Sequence, residues 1–118
     1  MRHQQNTKKF KRTTEERKRL KLDLARSLIK AGQITTFLAR AKWFTPFFER
    51  LVTLVKRANG DNKLAFHKVR PFLDEATARI LIETVVPKLA NKTSGYARIL
   101  KYQEKFGLHD KAIVTIVE

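Results

Sequence analysis

Ser27 and Ser94 are the only serines, the hydroxyl nucleophiles a serine hydrolase would need, and neither sits in a Gly-x-Ser-x-Gly turn. The three histidines, His3, His67 and His109, lie far apart with no partner four residues away. No helix face therefore carries a histidine pair for a metal, and they read as surface residues. Cysteine is absent, which removes thiol nucleophiles, thiolate metal sites and disulfides and leaves the redox compartment unreadable. Gly32, Gly60, Gly95 and Gly107 are too isolated to form a phosphate loop over a nucleotide. The adjacent acids Glu15/Glu16 and Asp74/Glu75 fall at helix starts, where they answer the positive end of the helix dipole. No catalytic constellation and no cofactor site emerges, so the chain reads as a non-enzyme.

Phosphate chemistry is better supported. Lys8, Lys9, Lys11 and Arg12 cluster in an acid-free stretch, with Arg17, Lys18, Arg19 and Lys21 just behind it. Arg40 and Lys42 come right after the first expected strand, and Tyr96, Arg98 and Lys101 form a third group. In a strand Tyr96 and Arg98 would share one face, leaving Ile99 for the core. Two readings stay open there. Tyr96 stacks on a base while Arg98 binds phosphate, or the ring simply packs and Arg98 is solvated.

The bulk composition agrees. Thirty-five of 118 residues are Leu, Ile, Val or Phe, enough for a charged chain to fold as one domain. Twenty-six Lys/Arg stand against 11 acids, a formal net charge of +15. A surplus on that scale repels itself in the folded state and implies a polyanionic partner. It is uneven: residues 1–31 carry 11 bases and 3 acids, while residues 71–118 carry 7 and 6. A basic arm ahead of a balanced body is the pattern of a nucleic-acid-binding tail. No apolar run approaches the roughly 20 residues a bilayer span needs. No apolar stretch follows the basic start, against a secretory signal, and Phe10 stands alone without the amphipathic pattern of a transit peptide.

These groups must be positioned by elements. Residues 1–12 lack periodicity and should stay extended until bound, ahead of a single domain over 13–118. Thr13-Thr14-Glu15-Glu16 predicts a capping box for a helix from about Thr14 to Ala31, closed by Gly32. Leu20, Leu24, Leu28 and Ala31 would share its packed face and Arg19, Arg26 and Lys30 another. Gln33 to Leu38 reads as a strand. A helix follows from Ala39 to about Ala58, either restarted at a Thr45 cap with Pro46 first or bent there. The turn at 59–62, a short helix from Asn62 to about Arg70, a helix opened by Asp74 and Glu75, and a loop over 91–95 come next. Tyr96 to Tyr102 and Ala112 to Val117 read as two strands joined through a turn at Gly107. The aromatics Trp43, Phe44, Phe47 and Phe48 read as core. Three strands and four helices predict an α+β, two-layer fold with helices on one small sheet. A helix-turn-helix built around the 62–70 helix lacks a tight turn, and much of the charge lies elsewhere.

Several segments together resemble the bacterial large-subunit ribosomal protein seventeen (L-seventeen) family. They are Met1-Arg2-His3, the basic arm into a helix ending Ser27-Leu28-Ile29, ITTFLARAK from Ile34, RLVTLVK from Arg50, NKLAFHKVR from Asn62, and SGYARILK from Ser94. The chain departs from the family at Phe37, at Pro46 with its flanking aromatics, and in the turn after Gly107. The resemblance implies an α-β-α-α-α-β-β order with a small three-stranded mixed sheet. It implies a structural role in the large ribosomal subunit of the cytoplasm, an organellar ribosome being the less favoured setting. The partners would be large-subunit rRNA and neighbouring ribosomal proteins near the side where the nascent peptide emerges, with no membrane and no small-molecule substrate. By position, Arg2, His3, Lys8, Lys9, Lys11, Arg12, Arg17, Lys18, Lys21, Arg40, Lys42, Tyr96, Arg98 and Lys101 should face RNA. Two rival functions share parts of this pattern: a small nucleoid-type DNA-binding protein, and a protein-interaction module using the aromatics near Trp43.

Overall fold

The computed structural model describes residues 12–106 and 109–117, the side chains of 102–106 and 109 excepted. The first helix, α1 (Thr14–Ala31), opens on the expected capping box. The Glu16 N–H donates to the Thr13 hydroxyl at 3.2 Å, and the Thr13 N–H donates back to the Glu16 carboxylate at 3.4 Å. It closes at Gly32, whose φ of 85° lies in the left-handed region and whose N–H donates to the Leu28 carbonyl at 2.8 Å. The packed stripe is Ala25, Leu28 and Ile29 with Leu24 partly covered. Ala31 is exposed, because the helix ends there and turns into the sheet.

Strand β1 (Gln33–Phe37) runs straight into α2 (Leu38–Lys56). Ala41, Phe44, Phe48, Leu51, Val52 and Val55 recur at helical spacing along α2 and are all buried. Phe44 and Phe48 are completely buried, each worth roughly 1.5–3 kcal/mol of transfer free energy. Pro46 lies inside one continuous helix, so Thr45 is not a cap. Its hydroxyl donates instead to the Ala41 carbonyl at 2.7 Å.

Asn59 (φ 52°) and Gly60 (φ 87°) make the turn into α3 (Asn62–Val69), capped by the Asp61 carboxylate. The fourth helical segment starts as α4 (Glu75–Ile80), capped by Asp74. It widens into a π-helical turn (Leu81–Val85) and ends as α5 (Val86–Lys88). The wide turn precedes Pro87, which has no N–H to give and whose ring would crowd the carbonyl four residues back in a regular helix.

The remaining strands are β2 (Ala97–Phe106) and β3 (His109–Ile116), longer than the sequence pattern indicated. The sheet order is β1-β3-β2 and both pairings are antiparallel. The mixed sheet implied by the resemblance is therefore corrected: the last strand inserts between the other two against both directions. Ala112 and Val114 of β3 are buried, packing the inner face of the sheet onto the α2 core. The fold is α+β, helices on one face of a small sheet. Residues 1–11 of the expected 1–12 arm, and the turn residues Gly107 and Leu108, lie outside the described residues. No described helix is long and apolar enough to cross a membrane.

Candidate nucleic-acid interface

Many of the acids are spent inside the fold. Glu16, Asp61 and Asp74 accept from backbone N–H groups at the starts of α1, α3 and α4. Both Glu49 carboxylate oxygens accept from the Tyr96 N–H, at 3.0 and 2.9 Å. Glu75 pairs with Arg79 at 3.2 Å and Asp110 with Lys101 at 3.4 Å. These contacts engage six of the 11 acids, against 26 Lys and Arg.

The expected binding residues separate on this background. Arg17 is partly a local clamp: Nη1 donates to the Arg12 carbonyl at 2.6 Å and Nη2 to the Thr14 hydroxyl at 3.2 Å. It thus fixes the backbone where residues 1–11 join α1. Lys21 is half-buried, its ammonium 4.9 Å from the Trp43 ring centroid and 5.8 Å from that of Phe47. Burial, then the nearby Arg50 and Arg17, push its pKa below the ordinary lysine value. Arg17, Lys21 and Arg50 form a cluster of like charge between α1 and α2. Arg50 was not singled out from the sequence, because only the crossing of two distant helices brings it there.

Lys18 and Lys42 are exposed, and neither is ion-paired among the described residues. Arg40 lies 5.4 Å over the Phe37 ring, close to the start of α2. That helix has neither a side-chain cap nor an acid in its first turn, so the positive end of its dipole adds to Arg40 and Lys42. Arg12 is part-buried at the foot of α1. Arg2, His3, Lys8, Lys9 and Lys11 lie outside the described residues.

The third group is not a group. Tyr96 is 3% exposed, its hydroxyl donates to the Thr93 carbonyl at 2.9 Å, and Lys56 lies 4.6 Å over its ring. The expectation that Tyr96 faces RNA is corrected: β2 starts one residue later, so strand parity does not govern residue 96, and the ring packs in the core. Arg98 pairs in register with Thr115 on the outer face of the sheet, while Lys101 pairs with buried Ala112 on the opposite face and is held by Asp110. Only Arg98 of the three is exposed and unpaired among the described residues. Lys56, a further base of α2, is structural, because its ammonium donates to the Leu89 and Lys92 carbonyls.

The chain's likeness to known proteins now decides its family. The model of the family described as ribosomal protein L17 matches residues 20–118. The chain belongs to the ribosomal protein L17 family. It is 36% identical to the large ribosomal subunit protein bL17 of Allorhizobium ampelinum, over 100% of this chain and 81% of that protein. Identity is 34% to the large ribosomal subunit protein bL17 of Methylacidiphilum infernorum, with 87% of that protein covered. It is 35% to that of Akkermansia muciniphila, with 84% covered. The L17 family is one of ribosomal proteins rather than of enzymes. The match spans α1 from Leu20, the whole sheet and the Arg40, Lys42 and Arg98 positions.

Proposed function

We propose that this L17-family chain is a structural constituent of the large ribosomal subunit that holds folded rRNA by neutralising its phosphates. The observation that carries the reading is the Arg17–Lys21–Arg50 cluster. Three like charges are brought together, Lys21 among them partly buried against Trp43 and Phe47. Such a cluster is relieved by a polyanion, and phosphate contacts position a protein without reading sequence. Lys18, Lys42 and Arg40 add charge on α1 and α2, Arg98 adds it on the outer face of the sheet, and Arg2, Lys8, Lys9, Lys11 and Arg12 are further bases that precede α1 in the sequence.

RNA is favoured over duplex DNA because the chain belongs to a family of ribosomal proteins and much of its positive charge lies outside α3, the helix that follows a tight turn. A-form RNA is recognised through backbone, shape and 2′-hydroxyl groups. The family's name supports the same reading. The position near the nascent peptide's exit and the neighbouring ribosomal proteins follow from the family resemblance, in a cytoplasmic ribosome. The test is sedimentation of a tagged chain on a gradient from lysed cells. Co-migration with large subunits, lost after ribonuclease treatment, is the expected result. A chain that stays at the top of the gradient, unattached to particles, contradicts the reading.

A further inference from the structure

The proposed interface leaves α3 unused. Lys63, His67 and Arg70 recur at i, i+4 and i+7, on the side of the helix opposite buried Ala65 and Val69. At 1.5 Å per residue the stripe spans roughly 10 Å. All three side chains are exposed and none is ion-paired among the described residues. With Leu64, 40% exposed, and Phe66 they line an open groove of about 480 Å³. The Arg70 guanidinium lies 6.0 Å over the Phe66 ring, which holds it along the groove. Asp61 at the rim is engaged as a cap, accepting from the Leu64 N–H at 3.1 Å. Glu75 and Glu83 border a separate depression on the far side of Phe66, and Glu75 is paired with Arg79. α3 packs chiefly on α2, whereas α1 packs chiefly on β1, α4 and α2, so the two basic helices are not principal neighbours.

We propose that α3 is a second RNA-docking face, lying across the minor groove of an A-form duplex, so that one chain bridges two RNA segments. The inference rests on the rRNA-binding reading above. The A-form minor groove is wide and shallow and displays 2′-hydroxyls between two phosphate rims, which suits a nearly flat helix face. Lys63 and Arg70 at the ends of the stripe meet phosphates, His67 between them meets a 2′-hydroxyl, and Leu64 rests on ribose. An acidic protein would satisfy the charge as well. However, the stripe has no large apolar anchor set in a dry pocket, the feature that carries binding energy between proteins.

The experiment uses the full chain and two copies of one short RNA hairpin, one with a donor dye and one with an acceptor. Anisotropy reports binding of one hairpin, and energy transfer reports two hairpins on one chain. The expected result is transfer in the wild type that falls about tenfold or more in the Lys63→Glu/Arg70→Glu variant, while affinity for a single hairpin changes by less than about threefold. Circular dichroism checks that this variant, altered only at exposed positions, remains folded, and Lys63→Gln/Arg70→Gln gives the same test without charge reversal. Single-hairpin binding without transfer, the outcome if α3 serves a protein neighbour, overturns the bridging proposal and leaves the rRNA reading standing. Transfer that persists in both variants also overturns it. No hairpin binding at all overturns the rRNA reading itself.

Discussion

At Asp74 one carboxylate joins three parts of the chain. Oδ1 accepts from the Thr77 hydroxyl at 2.7 Å and from Arg26 Nε of α1 at 3.1 Å, while Oδ2 accepts from the Thr77 N–H at 3.4 Å. Thr77 is fully buried, so its hydroxyl depends on this partner. The Arg26 pair is about half exposed and contributes little by itself. Replacing Asp74 by Ala removes the cap and should cost about 1–2 kcal/mol, read from urea unfolding at neutral pH. The Thr77 hydroxyl bond, with smaller help from backbone N–H groups and Arg26, holds the Asp74 carboxyl below its ordinary value of 3.8. The unfolded chain therefore takes up the proton first as pH falls. The stabilisation is complete above the ordinary value and is lost as pH drops through the lowered one. The difference between wild type and Asp74→Ala should accordingly shrink below about pH 4. A difference that stays constant into acid would place its origin in packing and not in the charged cap.

Pro46 shows what an element tolerates. Its ring removes the N–H that would reach the Lys42 carbonyl, yet α2 continues because Phe44, Phe48, Leu51 and Val52 anchor both sides of it in the core. Pro46 and Lys42 are both exposed, so the freed carbonyl can meet water. Pro46→Ala should restore the bond and raise stability by about 1–3 kcal/mol, seen as a higher unfolding midpoint. A lower midpoint would mean that the proline's restriction of the unfolded chain outweighs the missing bond. What the sequence made legible here was local. The Thr13–Glu16 box, the Gly32 stop and the Asp74 start each depend on residues within one turn and were readable, whereas the Asp61 cap was read only as part of a turn. The β1-β3-β2 order depends on a pairing between residues 33 and 115, and no local pattern specifies it. The site divides the same way. Lys18, Lys42 and Arg98 were readable as exposed bases. Tyr96, whose burial depends on Glu49 holding its N–H, and the meeting of Lys21 with Trp43 and Arg50 depend on helix α2 arriving from elsewhere.

Across the whole molecule the charge of +15 makes salt act with opposite signs on the free and the bound chain. In the free chain salt screens repulsion among the Arg17–Lys21–Arg50 cluster and the other unpaired bases, so the unfolding midpoint should rise with ionic strength. In the complex salt competes with the released counterions, so affinity must fall. With on the order of 6 to 10 phosphates neutralised, the loss between 50 and 200 mM salt is roughly three to five decades, by analogy with duplex DNA. Removing residues 1–11 takes away Arg2, Lys8, Lys9 and Lys11. That should flatten the logarithmic slope by about 0.7–0.9 for each phosphate no longer neutralised, while the unfolding midpoint of the free chain barely moves. Filter binding to large-subunit rRNA over a salt series, beside thermal unfolding of the same two proteins, measures both signs. A flat affinity profile would remove phosphate neutralisation as the source of binding. A large drop in the midpoint on truncation would make those residues part of the packed domain rather than a tether.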